Sequence, residues 1–145
     1  MSDSGNIKNS LRVGEWIAAI AAALTSLVVP LMFAQAGGRD FPLPALYFIE
    51  IALLGLLVLG YVARRPRWGS RWGILPWAAG GINLAFVILG GFSIGPFLIP
   101  ALIGFLAVGV LGDLQSGTPL AQRLGIFLVA AVVQGASMLL AALIF

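Results

Sequence analysis

Five long stretches of this chain are almost free of charge, and half of its basic residues are crowded between two of them. Of eight Lys and Arg, four (Arg64, Arg65, Arg67 and Arg71) fall within Ala63 to Trp72. A soluble domain carries about 25% charged residues; this chain carries 9%, with a mean hydropathy of +1.08. Long uncharged runs of this kind persist in hydrocarbon only as helices or closed barrels, which satisfy their own backbone polar groups. Runs this long and this apolar imply an all-α integral membrane protein, its orientation written in its loop charges.

Crossing the hydrocarbon core takes about 20 mostly apolar residues per helix. Spans are expected over 13–33, 43–62, 74–92, 97–111 and 124–145, which makes residues 1–145 a single transmembrane domain with short loops. Pro42 and Pro44 open the second span, and Arg64 and Arg65 close it. Thr118 followed by Pro119 reads as a helix N-cap with proline at the first helical position. The fourth span is short, contains Pro100 and is separated from the third by only Ser93-Ile94-Gly95-Pro96. Gly-Pro is a turn signal, so a tight helical hairpin is expected there. Its rival is a re-entrant fourth segment, tolerated only where protein or water covers its backbone.

The first span has a second reading as well. Ala34-Gln35-Ala36 before Gly37 resembles a signal-peptidase site, but the apolar run is long for a signal peptide. It is read as a retained helix.

Counted on alternate sides, one side holds Lys8, Arg12, Arg64, Arg65, Arg67, Arg71 and Arg123, and the other only Arg39. This asymmetry places the N-terminus in the cytoplasm of a multi-pass cell-membrane protein. Trp16, Trp68, Trp72 and Trp77 fall at the expected inner boundary, while Phe33, Phe41, Phe92 and Phe97 fall at the outer one. Trp suits the headgroup level, where ring and N–H donor are both satisfied. The surplus of basic residues is accounted for by topology, so no nucleic-acid partner is inferred from a pI near 10.2. The expected partners are the lipid bilayer and further copies of the chain or a larger membrane complex.

Glu50 is the one ionisable side chain well inside an expected span, about 10 Å below the outer boundary at 1.5 Å per residue. Asn83 and Gln134 lie nine and ten residues into their spans from the inner side. The three could meet at mid-membrane. An intramembrane acid is a functional-site candidate, whereas Asn and Gln also serve as interhelical hydrogen-bonding glue. Glu50 in its neutral form could itself be such glue, bonded to Gln134. Glu15, beside Trp16, reads as an interfacial acid near a helix N-terminus, where the dipole favours negative charge. The segment Arg64, Arg65, Arg67, Trp68, Arg71 and Trp72 could touch anionic lipid or a cytoplasmic partner, although topology alone explains its charge.

Small residues recur at four-residue spacing in Ala18/Ala22, Ala19/Ala23, Gly81/Ala85 and Ala131/Gly135, which lets helices approach closely. Cys and His are both absent. No thiol chemistry, Cys/His zinc site or usual haem ligand is therefore possible, and no cofactor is expected. Five acids, one of them well inside a span, offer little general acid–base chemistry, so the chain is read as a non-enzyme. Two functions fit: a self-associating or accessory subunit of a membrane complex, or a small homo-oligomeric transporter or channel whose path includes Glu50, Asn83 and Gln134.

Overall fold

The computed structural model describes residues 3–36, 42–68 and 70–144. They form an all-α bundle: α1 (Asp3–Ala36), α2 (Pro42–Trp68), a 3-10 turn (Ser70–Gly73), α3 (Ile74–Leu89), α4 (Gly95–Ser116) and α5 (Leu120–Ile144). Five segments are long and apolar enough to cross a membrane: 6–35, 45–65, 71–89, 95–116 and 120–144. α4 extends past both expected ends to 22 residues. At 1.5 Å per residue it reaches about 33 Å, enough for a hydrocarbon core about 30 Å thick. Pro100, the sixth residue of α4, is accommodated within it with the Pro96 carbonyl left without the N–H it would otherwise accept from.

The hairpin between α3 and α4 is as tight as the sequence implies. Gly90 N–H bonds back to the Phe86 carbonyl at 2.8 Å, and Gly95 N–H to the Gly90 carbonyl at 2.7 Å. A Cβ on Gly95 would stand 2.4 Å from the Val87 carbonyl oxygen, so the turn closes only around glycine. At the other end of α4, Gly117 adopts φ +67°, the left-handed geometry that terminates a helix, and its N–H bonds to the Asp113 carbonyl. α5 starts at Leu120, one residue later than the sequence implies. The Thr118 hydroxyl pairs with that of Ser116 at 2.9 Å.

Helices α1, α2, α3 and α4 close a ring in which α1 packs on α2 and α4, and α3 packs on α4 and, less extensively, on α2. α5 lies outside the ring, against α3. The chain alternates direction, so neighbours in the ring are antiparallel and α5 runs parallel to α3. Two layers of apolar side chains fill the interior. One contains Ala19, Ala22, Val58, Tyr61, Val62, Ala79, Ala101, Phe105 and Val108, and the other Val29, Ile51, Phe86 and Leu98.

Glycine sets the close approaches. A Cβ on Gly104 would meet the Ala22 Cβ at 2.8 Å and one on Gly55 the Ser26 Cβ at 2.8 Å, while one on Gly81 would meet the Phe127 carbonyl at 2.1 Å. The small-residue faces of α1 and α3 are thus used within the chain itself.

Candidate functional site

One end of the bundle carries a polar cluster to which every helix contributes. It lies where the start of α1, the α2/α3 connection and the α4/α5 connection come together. Glu15 projects from α1 and is 1% exposed. Arg65, three residues from the end of α2, donates from Nη1 to both Glu15 carboxylate oxygens, at 2.6 and 2.5 Å. Its Nη2 donates to the Gly112 carbonyl at 2.7 Å. That carbonyl lies near the C-terminal end of α4, whose negative dipole end favours a cation. Gln115 donates a longer bond, 3.3 Å, to Glu15.

Beside this pair stands a second one. Asp113, 5% exposed, accepts from Trp77 Nε1 at 2.9 Å and faces Arg123 Nε at 3.4 Å. An acid at a helix C-terminus opposes the dipole, so the indole donor and the guanidinium offset an arrangement that would be unfavourable alone. Among the described residues of α5, Arg123 is the one buried side chain. Its charge fastens the start of a helix that otherwise packs on α3 through Phe127 and Ala130.

The sequence signals these pairs weakly, through opposite charges at equal depth. Glu15 lies just inside the start of the first span, and Arg65 just past the end of the second. The dipole reading of Glu15 fails because α1 begins at Asp3, three turns earlier. Trp77, assigned from sequence to the headgroup belt, is 2% exposed and hydrogen-bonded within the bundle.

The basic segment divides. Arg65 turns inward, whereas Arg64, Arg71 and Trp72 are exposed at the surface. The side chains of Arg67 and Trp68 lie outside the described residues.

Of the three intramembrane polar residues, two meet. Gln134 Nε2 on α5 donates to Glu50 Oε2 on α2 at 3.0 Å, and both side chains are partly exposed. Asn83 sits apart in the bundle interior, 0% exposed, and neither atom of its amide has a hydrogen-bond partner among the described residues. Ser26 on α1 is buried in the same way, and its Oγ also lacks a partner among them.

A cavity of about 330 Å³ opens beside the polar cluster, its lining including Arg12, Trp16, Tyr61, Asp113, Gln115 and Ser116 together with the Glu15–Arg65 pair. A second, apolar cavity of about 240 Å³ lies at the other end between Val29, Met32, Phe33 and Phe97. The first offers charge, donors and an aromatic wall. The second has nothing that would orient a polar ligand. Comparison of the chain with known protein families, with characterised proteins and with solved structures returns no match.

Proposed function

We propose that this chain is a non-enzymatic multi-pass membrane protein serving as a self-associating or accessory subunit of a membrane complex. The observation that carries this reading is the position of the Glu50–Gln134 pair. It lies within the spans, partly exposed, on the flank where α2 meets α5. Ionisable side chains at membrane depth are costly and almost always face protein or a water-filled cavity. A second protein surface across this flank would cover the pair. Gly135, next in the chain, leaves room for one, since a Cβ there would meet nothing within 4 Å.

Gly135→Leu is expected to reduce assembly in mild detergent while insertion and monomer unfolding stay unchanged. Ala22→Leu acts at a different level. Ala22 is 0% exposed, its Cβ 2.8 Å from the position a Gly104 Cβ would take, so the larger side chain should destabilise the monomer by about 1–3 kcal/mol. Native mass spectrometry and thermal unfolding of both variants separate the two effects. Unaltered assembly in Gly135→Leu would remove this flank as the interface.

A second reading, a small homo-oligomeric transporter or channel, rests on the same acid. Glu50→Gln keeps an oxygen to accept from Gln134 and should leave stability and assembly nearly unchanged. Glu50→Leu should lose about 0.6–2 kcal/mol of interhelical bonding. Should the native protein carry an ion or proton flux in liposomes that a stable Glu50→Gln protein lacks, transport becomes the better reading.

The orientation proposed is N-terminus and polar cluster cytoplasmic, C-terminus outside, supported by seven basic residues against one. Cysteine introduced at Ser4 should be labelled only from the cytoplasm, and at Ser93 only from the exterior. The native chain has no Cys to interfere. Labelling of Ser93→Cys from the cytoplasm would reverse the assignment.

A further inference from the structure

We infer that the cavity beside the Glu15–Arg65 pair is a binding site for a phosphate-ester anion, with Arg12 and Tyr61 as its direct contacts. This site is separate from the α2/α5 flank, and it stands whether or not the chain self-associates.

The sign of the ligand follows from which charges are already used. Glu15 has both oxygens held by Arg65 and accepts from Gln115 as well. Asp113 is held by Trp77 and Arg123. These two acids and two arginines cancel. A cation entering the cavity would have to displace a guanidinium from a buried carboxylate. Arg12 has no such acid: it is exposed, lines the cavity, and makes no ion pair or hydrogen bond among the described residues. The lining itself holds two acids and two arginines, and Arg123, outside it, pairs with Asp113, so Arg12 is the cation left without an acid.

Tyr61 supplies the second, independent observation. Its ring belongs to the packed interior and is 2% exposed, yet the residue also lines the cavity. Its hydroxyl makes no hydrogen bond among the described residues. Unlike the enclosed Ser26 and Asn83 groups, this hydroxyl keeps accessible surface at the cavity, where it is open to a partner. An O–H donor and a guanidinium lining one cavity match the charge-assisted bonding that phosphate oxygens accept. The Gln115 amide and the Ser116 hydroxyl add adaptable partners, and the Trp16 ring gives one apolar wall.

Volume limits what can enter. About 330 Å³ is at the small end of ligand pockets. It holds a phosphate with a glycerol-sized substituent and excludes acyl chains. Two sources carry such an anion: a phospholipid with its tails left in the bilayer and a soluble phosphate ester.

The test uses the full-length protein in mild detergent, with thermal unfolding measured against three probes: dioleoyl phosphatidylglycerol, uncharged dioleoylglycerol and sn-glycerol 3-phosphate. A ligand that binds only the folded state raises the midpoint in a concentration-dependent way. Phosphatidylglycerol should raise it, dioleoylglycerol should not, and added salt should weaken the effect. In Arg12→Gln and in Tyr61→Phe the apparent affinity should fall about tenfold, the effect of one charge-assisted hydrogen bond. Arg12 is exposed, so its replacement leaves the fold intact even if Tyr61→Phe unfolds. A shift with the lipid alone assigns the site to a headgroup, and a shift with glycerol phosphate too assigns it to soluble esters as well. Equal shifts in native and Arg12→Gln protein, or no shift with either phosphate probe, would overturn the inference.

Discussion

Arg65→Leu is expected to destabilise the bundle by about 3–5 kcal/mol, the usual consequence of stranding one member of a buried ion pair. Glu15 would keep its position, 2% exposed at the side chain, with only the long bond from Gln115 remaining. The Gly112 carbonyl would lose its guanidinium donor as well. The Arg65 side chain is 19% exposed and reaches water, so the lower part of the range is the better expectation. The double replacement Glu15→Leu/Arg65→Leu should recover most of the loss, because apolar residues of similar volume often match or exceed a buried pair. Unfolding followed by urea or heat in detergent reads both proteins. A single variant as stable as the native chain would show that the pair is solvated and contributes little.

Gly81→Ala should be nearly as damaging, for a steric reason. The added methyl would stand 2.1 Å from the Phe127 carbonyl oxygen, 2.9 Å from the Ala130 Cβ and 3.0 Å from the Ala131 amide nitrogen. Two of those three atoms are backbone, so no side-chain rotation relieves the contact. Overpacking of this kind costs about 1–3 kcal/mol, and here it falls on the contact surface of α5. Gly60→Ala is the control: nothing lies within 4 Å of its Cβ, and alanine favours the helix by about 0.5–1 kcal/mol. Opposite shifts in midpoint are expected. Cysteines paired across α3 and α5 should cross-link in Gly60→Ala and lose efficiency in Gly81→Ala. Equal behaviour of the two variants would mean that α5 does not seat on Gly81.

The apolar runs were enough to place all five helices, because length and hydropathy are properties of a segment taken alone. What they could not supply is rotation. In water an amphipathic stripe shows which face of a helix is inward, but lipid is as apolar as a protein core, so that signal fades. Ile51 and Leu53 look alike in sequence, yet one is 1% exposed and the other 58%. The polar cluster was hidden for the same reason. Glu15 and Arg65 are 50 residues apart, and their meeting depends on how two helices are turned. Glu50 and Gln134 drew attention because each interrupts an apolar run, and they do meet. Asn83 was recognisable in the same way and nevertheless stands apart from both.

On the proposed orientation, Arg65 and Arg123 would act at two different times. While the chain is threaded into the bilayer its helices have not yet found one another, and each arginine would count as a positive charge that retains its loop on one side. Once the bundle closes, both are withdrawn from that role and neutralised by Glu15 and Asp113. Charges that would set direction during synthesis are thus the interior fasteners of the folded bundle. Arg123 opens a helix that follows Asp113 in the chain, so Asp113 gains its guanidinium only after α5 has emerged. A chain arrested before α5 would have Trp77 alone to steady that acid.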